Sequence, residues 1–306
     1  MSSVSLWQTY RTGHNLSESA VEAESSWLSL NPVLHSRFYN DRRARDFVAA
    51  TFSKEVLDMY EAFPLSVMRA DFWRYAIVYA KGGIYSDLDT TCLKPISDWL
   101  PPKDNAATGL PMEEMYNTSQ WSNCSLLIGL ENDVHFCQWT LVSQLPRHPL
   151  LSLVIQLILE RFRAGMDVSS RNPHFVHQHT GPGVWSAAVT HYLGFDKGLV
   201  GKAGEVFRKV HSDRGTFLRV RNELGVCLVG RPFFGGLNVK NPLWKSQFQE
   251  WLGIMDRGKV SADSQTSCQS SEIFTPGQHK QAGHSMIRYE NQQRQGCAII
   301  NYQGAR

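Results

Sequence analysis

Three aspartates and one arginine fall close together in "RADFWRYAIVYAKGGIYSDLDTTCLKP", residues 69–95. Asp71 and Arg74 are three apart, so on a helix they share a face. The plain account is an intrahelical ion pair worth a few tenths of a kcal/mol. The helix around them is apolar, however, and a double glycine brings its end against the next segment. There the pair offers one acceptor and one forked donor, which suits the hydroxyls and phosphate of a nucleotide sugar. Asp87 and Asp89 alternate, and on a strand they point to one side. Two adjacent carboxylates repel unless a cation or a shared proton intervenes. Hard oxygen ligands suit magnesium or manganese, which keep waters and bind substrate phosphates.

An EF-hand does not account for the pair. Position six would be Cys92 where glycine is required, and position twelve is Asp98 rather than Glu.

The elements that position these groups follow from periodicity and breakers. "VSLWQTY" alternates and reads as a first strand, and "HSRFYND" as a second. "SESAVEAESSWLSL" is helical with Ser17 as cap. Two further helices start at Asp41 and Ser53. A longer helix runs from about Leu65 to Ala80 and ends at Gly82-Gly83. "GIYSDLD" reads as a strand through both acids. Strands are expected near 106–110, 125–130 and 225–229, and helices over about 149–163 and 184–192. Strands and helices alternate, which predicts an α/β class with a single, mostly parallel sheet flanked by helices. The length of 306 residues suits one large domain, 1–306. A polar Ser/Gln-rich stretch, about 256–285, reads as a mobile loop.

Composition sets limits. A formal net charge of +3 without a basic run gives no footprint for nucleic acid. The six cysteines form no C-x-x-C pair, so free, mostly buried thiols are expected rather than a zinc site or disulfide framework. The N-terminus lacks the shape of a signal peptide. The most apolar run, "LLSLVIQLILERF", is too short to span a bilayer. A soluble, cytoplasmic protein without a transmembrane segment is the expectation.

The segment Val67–Pro95 resembles the signature of the D-x-D sugar-binding glycosyltransferases of family 32. That family includes fungal α-1,6-mannosyltransferases and inositol-phosphoceramide mannosyltransferases, and the clostridial glucosylating toxins have a related core. "LWQTY", the loop with Asn123 and "HTGPGVW" extend the resemblance in patches. It implies a GT-A fold, a nucleotide-sugar donor (UDP-sugar or GDP-mannose), a hydroxyl acceptor, Mn2+ or Mg2+, and retention at the anomeric carbon. Endomembrane or Golgi association is also in keeping with it. By resemblance, Asp71 and Arg74 hold the donor sugar, Tyr85 lies beside the nucleotide, and Asp87 contacts ribose or metal. Asp89 is the direct metal ligand. Trp7 is the candidate to stack on the base, and Asn123 approaches the donor. His279, with His284 as alternative, completes the metal site. Gly181 belongs to a helix start whose N–H groups meet a phosphate or hydroxyl. No second acid is placed as a nucleophile, which favours front-face substitution. Two competing readings are a non-catalytic nucleotide-sugar-binding protein and a metal-dependent phosphodiesterase. The latter lacks a convincing base.

Overall fold

The computed structural model describes residues 4–11, 16–96, 124–166, 173–214, 217–218, 225–229 and 299–301. Asn123, His279, His284, the 106–110 strand and the 256–285 stretch lie outside these residues.

The chain opens with β1 (Val4–Tyr10), α1 (Glu18–Leu30) and β2 (Leu34–Asn40). Ser17 caps α1 as expected, accepting from the Ala20 N–H. Next come α2 (Asp41–Thr51), α3 (Lys54–Ala62) and α4 (Ser66–Lys81). Ser53 caps α3. α2 starts at Asp41 as expected, and the preceding Asn40 caps it, its Oδ1 accepting from the Arg43 N–H. Then follow β3 (Gly83–Ser86), β4 (Thr90–Cys92), β5 (Leu126–Gly129) and β6 (Thr140–Ser143). The later helices are α5 (Pro149–Arg163), α6 (Pro173–His179), α7 (Pro182–Tyr192) and α8 (Ala203–Arg214). The last strands are β7 (Phe217–Leu218), β8 (Val226–Val229) and β9 (Ile299–Asn301).

Among the described residues, seven strands form one sheet in the order β2-β1-β3-β6-β5-β8-β7, and β4 pairs with β9. The pairings of β1 with β2 and β3, and of β5 with β8, are parallel. β6 runs against both β3 and β5, and β7 against β8. Five of the seven strands therefore point one way, as the alternation of elements predicts.

Both faces of the central strands are covered, and β5, β6 and β8 are buried along their whole length. Trp7, Tyr85, Leu141, Leu126 and Leu228 face the larger core, together with α4, α5 and α7. Leu6, Ile84, Val142, Leu127 and Cys227 face the smaller one, with Trp27 of α1. Helix α4 is buried almost all round, from Met68 to Val78. It lies between α5 and the sheet, so it shows no apolar stripe. β6 is only four residues long and sits just ahead of Pro146, too little periodicity to predict a strand.

Two expectations change. Cys124 and Cys227 form a disulfide with Cα atoms 5.4 Å apart, beside the β5–β8 pairing, whereas free thiols were expected. Sequence spacing does not show that cysteines 103 positions apart are brought together. Cys92 and Cys137 are free and buried. β3 also stops at Ser86, so Asp87-Leu88-Asp89 is a turn and not strand. The Asp87 carbonyl accepts from the Thr90 N–H at 3.1 Å and the Thr90 hydroxyl at 2.5 Å, which closes the turn.

Candidate active site

The double glycine decides where α4 hands over to β3. Gly82 caps the helix at φ +65°, and Gly83 follows at φ +83°. A Cβ on Gly83 would lie 2.8 Å from the Ser5 carbonyl oxygen and 3.0 Å from Trp7 Nε1. Only glycine allows this approach with this backbone. The reversal lays β3 beside β1, with Tyr85 opposite Trp7, and returns Asp87 to the flank of α4.

Arg74 is 1 % exposed and its guanidinium lies between two carboxylates. Its Nη1 is 2.8 Å from Asp71 Oδ1 and its Nη2 is 3.0 Å from Asp87 Oδ1. The guanidinium also sits 5.3 Å from the centre of the Tyr85 ring. Tyr85 donates its hydroxyl to Asp87 Oδ1. Burial opposes the charge on Arg74, and Asp87, Tyr85 and Asp71 outweigh that, so its pKa lies well above the ordinary value. Burial first, then Asp87, pushes Tyr85 upward, so the phenol stays a donor. Breaking such a buried pair from one side leaves an uncompensated charge.

Asp71 is held from two further directions. Thr180 Oγ1 donates to its Oδ2 at 3.1 Å, and Gln138 Nε2 lies 3.5 Å from its Oδ1. Tyr75 donates to Gln138 Oε1 and reaches the Thr180 carbonyl at 3.2 Å. Asp71, Arg74, Tyr85 and Asp87 are thus brought together as the sequence suggests. The arginine, however, serves Asp87 as well as Asp71.

Asp89 is two residues from Asp87 in the same turn and is half-buried. Asp71 and Asp87, the two carboxylates on the guanidinium, outnumber its charge by one. All the donors are hard oxygens. Oxygen donors of this kind suit a Mg2+ or Mn2+ ion that keeps waters, and Asp87 and Asp89 are the residues that could hold one. No group of three or more His, Cys, Asp or Glu converges among the described residues. His179 turns to the Phe175 carbonyl at 2.8 Å, while His177 meets His135 edge-on at 4.3 Å.

Trp7 departs from its expected role. It is 9 % exposed, its indole N–H donates to the Gly82 carbonyl at 2.8 Å, and its ring meets Tyr39 edge-on at 6.1 Å. In β1 it points into the larger core, because Leu6 takes the other face. Gly181 also has a different use. Its N–H donates to the Val176 carbonyl at 2.9 Å, so it is not offered to a ligand. A Cβ there would lie 2.9 Å from His177 Cα.

Gln138, Tyr75 and the Thr180 side chain are site residues that spacing did not identify. The available signal was polarity inside apolar runs, as in "CQWTLVS". Gln8 carries the same signal: it is fully buried and neither amide atom has a hydrogen-bond partner among the described residues. A cavity of about 610 Å³, lined by Thr51, Ser53, Tyr79, Lys81 and Arg147, lies at the far end of α4, away from these groups.

Residues 17–106 match the model of a glycosyltransferase sugar-binding region containing a DXD motif. The initiation-specific alpha-1,6-mannosyltransferase of Schizosaccharomyces pombe is 29% identical over 212 residues, 63% of this chain and 49% of that protein. Inositol phosphoceramide mannosyltransferase 3 of the same yeast is 34% identical over 93 residues, 30% of this chain and 26% of its own length. The chain thus spans about half the length of the first relative. Among solved structures, the PaToxG glycosyltransferase aligns with a TM-score of 0.45 at 14% identity, covering 69% of this chain and 77% of that one. The match at residues 17–106 contains α4, the double glycine and the Asp87–Asp89 turn, and it is this part of the chain that is similar to the DXD-motif sugar-binding glycosyltransferases.

Proposed function

We propose that the protein is a glycosyltransferase that moves a hexose from a nucleotide-sugar donor to an acceptor hydroxyl, with retention at the anomeric carbon. The observation that carries this reading is the buried Arg74 guanidinium held between Asp71 and Asp87, next to a turn that presents Asp89. Asp71 accepts from sugar hydroxyls, and Arg74 holds that carboxylate in place. Asp87, fixed by Arg74 and the Tyr85 hydroxyl, and Asp89 would hold the divalent ion. The ion, when bound, supplies positive charge against the diphosphate as it leaves. The rate then comes from positioning and from charges aimed in advance. The two relatives are named as mannosyltransferases, so a nucleotide-activated mannose is the first donor to test.

The test is a donor panel with Mn2+, comparing GDP-mannose with UDP-glucose, UDP-galactose and UDP-N-acetylglucosamine. Nucleoside diphosphate release is measured, and acceptor mixtures are then examined by mass spectrometry. Turnover that is lost with chelator and in Asp89→Ala is expected. Near-normal turnover of Asp89→Ala under chelator would sink the metal reading. Donor binding with neither hydrolysis nor transfer would point to a non-catalytic binding protein instead.

A further inference from the structure

Three residues close a hydrogen-bonded ring with the donor-side acid. Tyr75 and Asp71 come from α4, Gln138 precedes β6, and Thr180 stands just before α7. Tyr75 donates to Gln138, Gln138 reaches Asp71, and Thr180 donates to Asp71 and accepts from Tyr75 through its carbonyl. Thr180 is fully buried. Its single hydroxyl proton faces two acceptors, Asp71 Oδ2 at 3.1 Å and the Val176 carbonyl at 3.4 Å. The carboxylate is nearer, and a charge-assisted bond is the stronger one.

The bond has a geometric consequence. Arg74 holds Oδ1 of Asp71 and Thr180 holds Oδ2. A carboxylate gripped at both oxygens cannot turn about its last torsion, so its remaining lone pairs point in fixed directions. The surroundings do not yield either. A Cβ on Gly181 or Gly183 would lie 2.9 or 2.8 Å from His177 backbone atoms. Tyr75 stacks on Trp185 at 5.6 Å, and the Trp185 indole N–H donates to the Cys137 carbonyl at 2.9 Å.

We propose that Thr180 is a positioning residue: its hydroxyl sets the plane of the Asp71 carboxylate and locks the start of α7 to α4 in the geometry that receives the donor sugar. The catalytic consequence rests on the glycosyltransferase reading. The Thr180–Asp71 link itself does not.

The experiment compares Thr180→Val, which keeps shape and removes the hydroxyl, with Thr180→Ser, which restores it. Donor turnover is measured well below the melting temperature of each variant. Thr180→Val is expected to lower kcat by about 100-fold, the scale of a small misplacement, with little change in donor KM. Thr180→Ser is expected to recover most of that loss. Wild-type kcat in folded Thr180→Val overturns the proposal. A double-mutant cycle of Thr180→Val with Asp71→Asn, read by denaturant unfolding, tests the link without activity. Roughly a fivefold or larger non-additivity in the folding constant supports it, and additivity overturns it. A wild-type protein inert toward every donor overturns the glycosyltransferase reading, and the cycle still decides the link.

Discussion

Arg74 has two carboxylate partners, and a lysine could not replace it. Its fork reaches Asp71 with one nitrogen and Asp87 with the other. An ammonium is a point charge on a flexible stem. Arg74→Lys is expected to fold and to lose at least tenfold in turnover, read by steady-state kinetics. Arg74→Ala leaves two buried carboxylates uncompensated, and a loss of about 3–5 kcal/mol in denaturant unfolding is expected. Equal stability of the two variants would show that the guanidinium does not bridge the acids. Gln8 offers a contrasting case at the same scale. Its amide is buried without a hydrogen-bond partner among the described residues, so Gln8→Leu is expected to hold or raise the melting temperature. A clear drop would show that a water or another group satisfies it.

At the scale of elements, the α4–β3 junction and the start of α5 carry the consequences. Gly82→Ala meets backbone atoms at 3.3 Å with φ +65°, while Gly83→Ala meets the Ser5 carbonyl at 2.8 Å with φ +83°. Both should destabilise, Gly82→Ala by about 1–2 kcal/mol from the left-handed backbone alone. Gly83→Ala should cost more, since β1 must also move; the reverse order in unfolding experiments would contradict the junction described above. His148 precedes α5, accepts from the Leu150 N–H through Nδ1 at 3.2 Å, and meets the Ser125 hydroxyl at 3.0 Å. Burial lowers its pKa from 6.5 to about 4. Between those values the unfolded chain binds more protons than the folded one. The contribution of this group is therefore complete above pH 6.5 and is lost as pH falls toward 4, by about 3 kcal/mol at most. His148→Gln should flatten the stability profile over that window relative to the wild type. An unchanged profile would show that His148 is not held neutral.

Taken whole, the molecule places its acidic cluster at one end of the strands, where the turn after β3 meets α4. The excess negative charge of that cluster predicts coupled binding. Mn2+ and a nucleoside diphosphate together should raise the melting temperature by more than the sum of their separate effects, and Asp89→Asn should remove the excess. Binding at 100 times Kd is worth about 2.7 kcal/mol, enough to read in a thermal scan. Additive shifts in the wild type would argue against a shared site. The Cys124–Cys227 disulfide, spanning 103 residues, ties the edge of β5 to β8. Non-reducing peptide mapping should recover the linked pair.

What the sequence by itself determined was local. Serine caps, glycine stops and hydrophobic periodicity act over a few residues, and they placed α1, α3, α4 and α5. The spacing of Asp71 with Arg74 and of Asp87 with Asp89 marked the chemistry for the same reason. Tertiary structure decided the partners. It joined Arg74 to an acid 13 residues away, Tyr75 to Gln138 across 63 positions, and Thr180 to Asp71 across 109. It turned Trp7 into the core and made the Asp87–Asp89 pair a turn. Such choices depend on which faces pack and how far the backbone can approach, and no local free-energy preference encodes them.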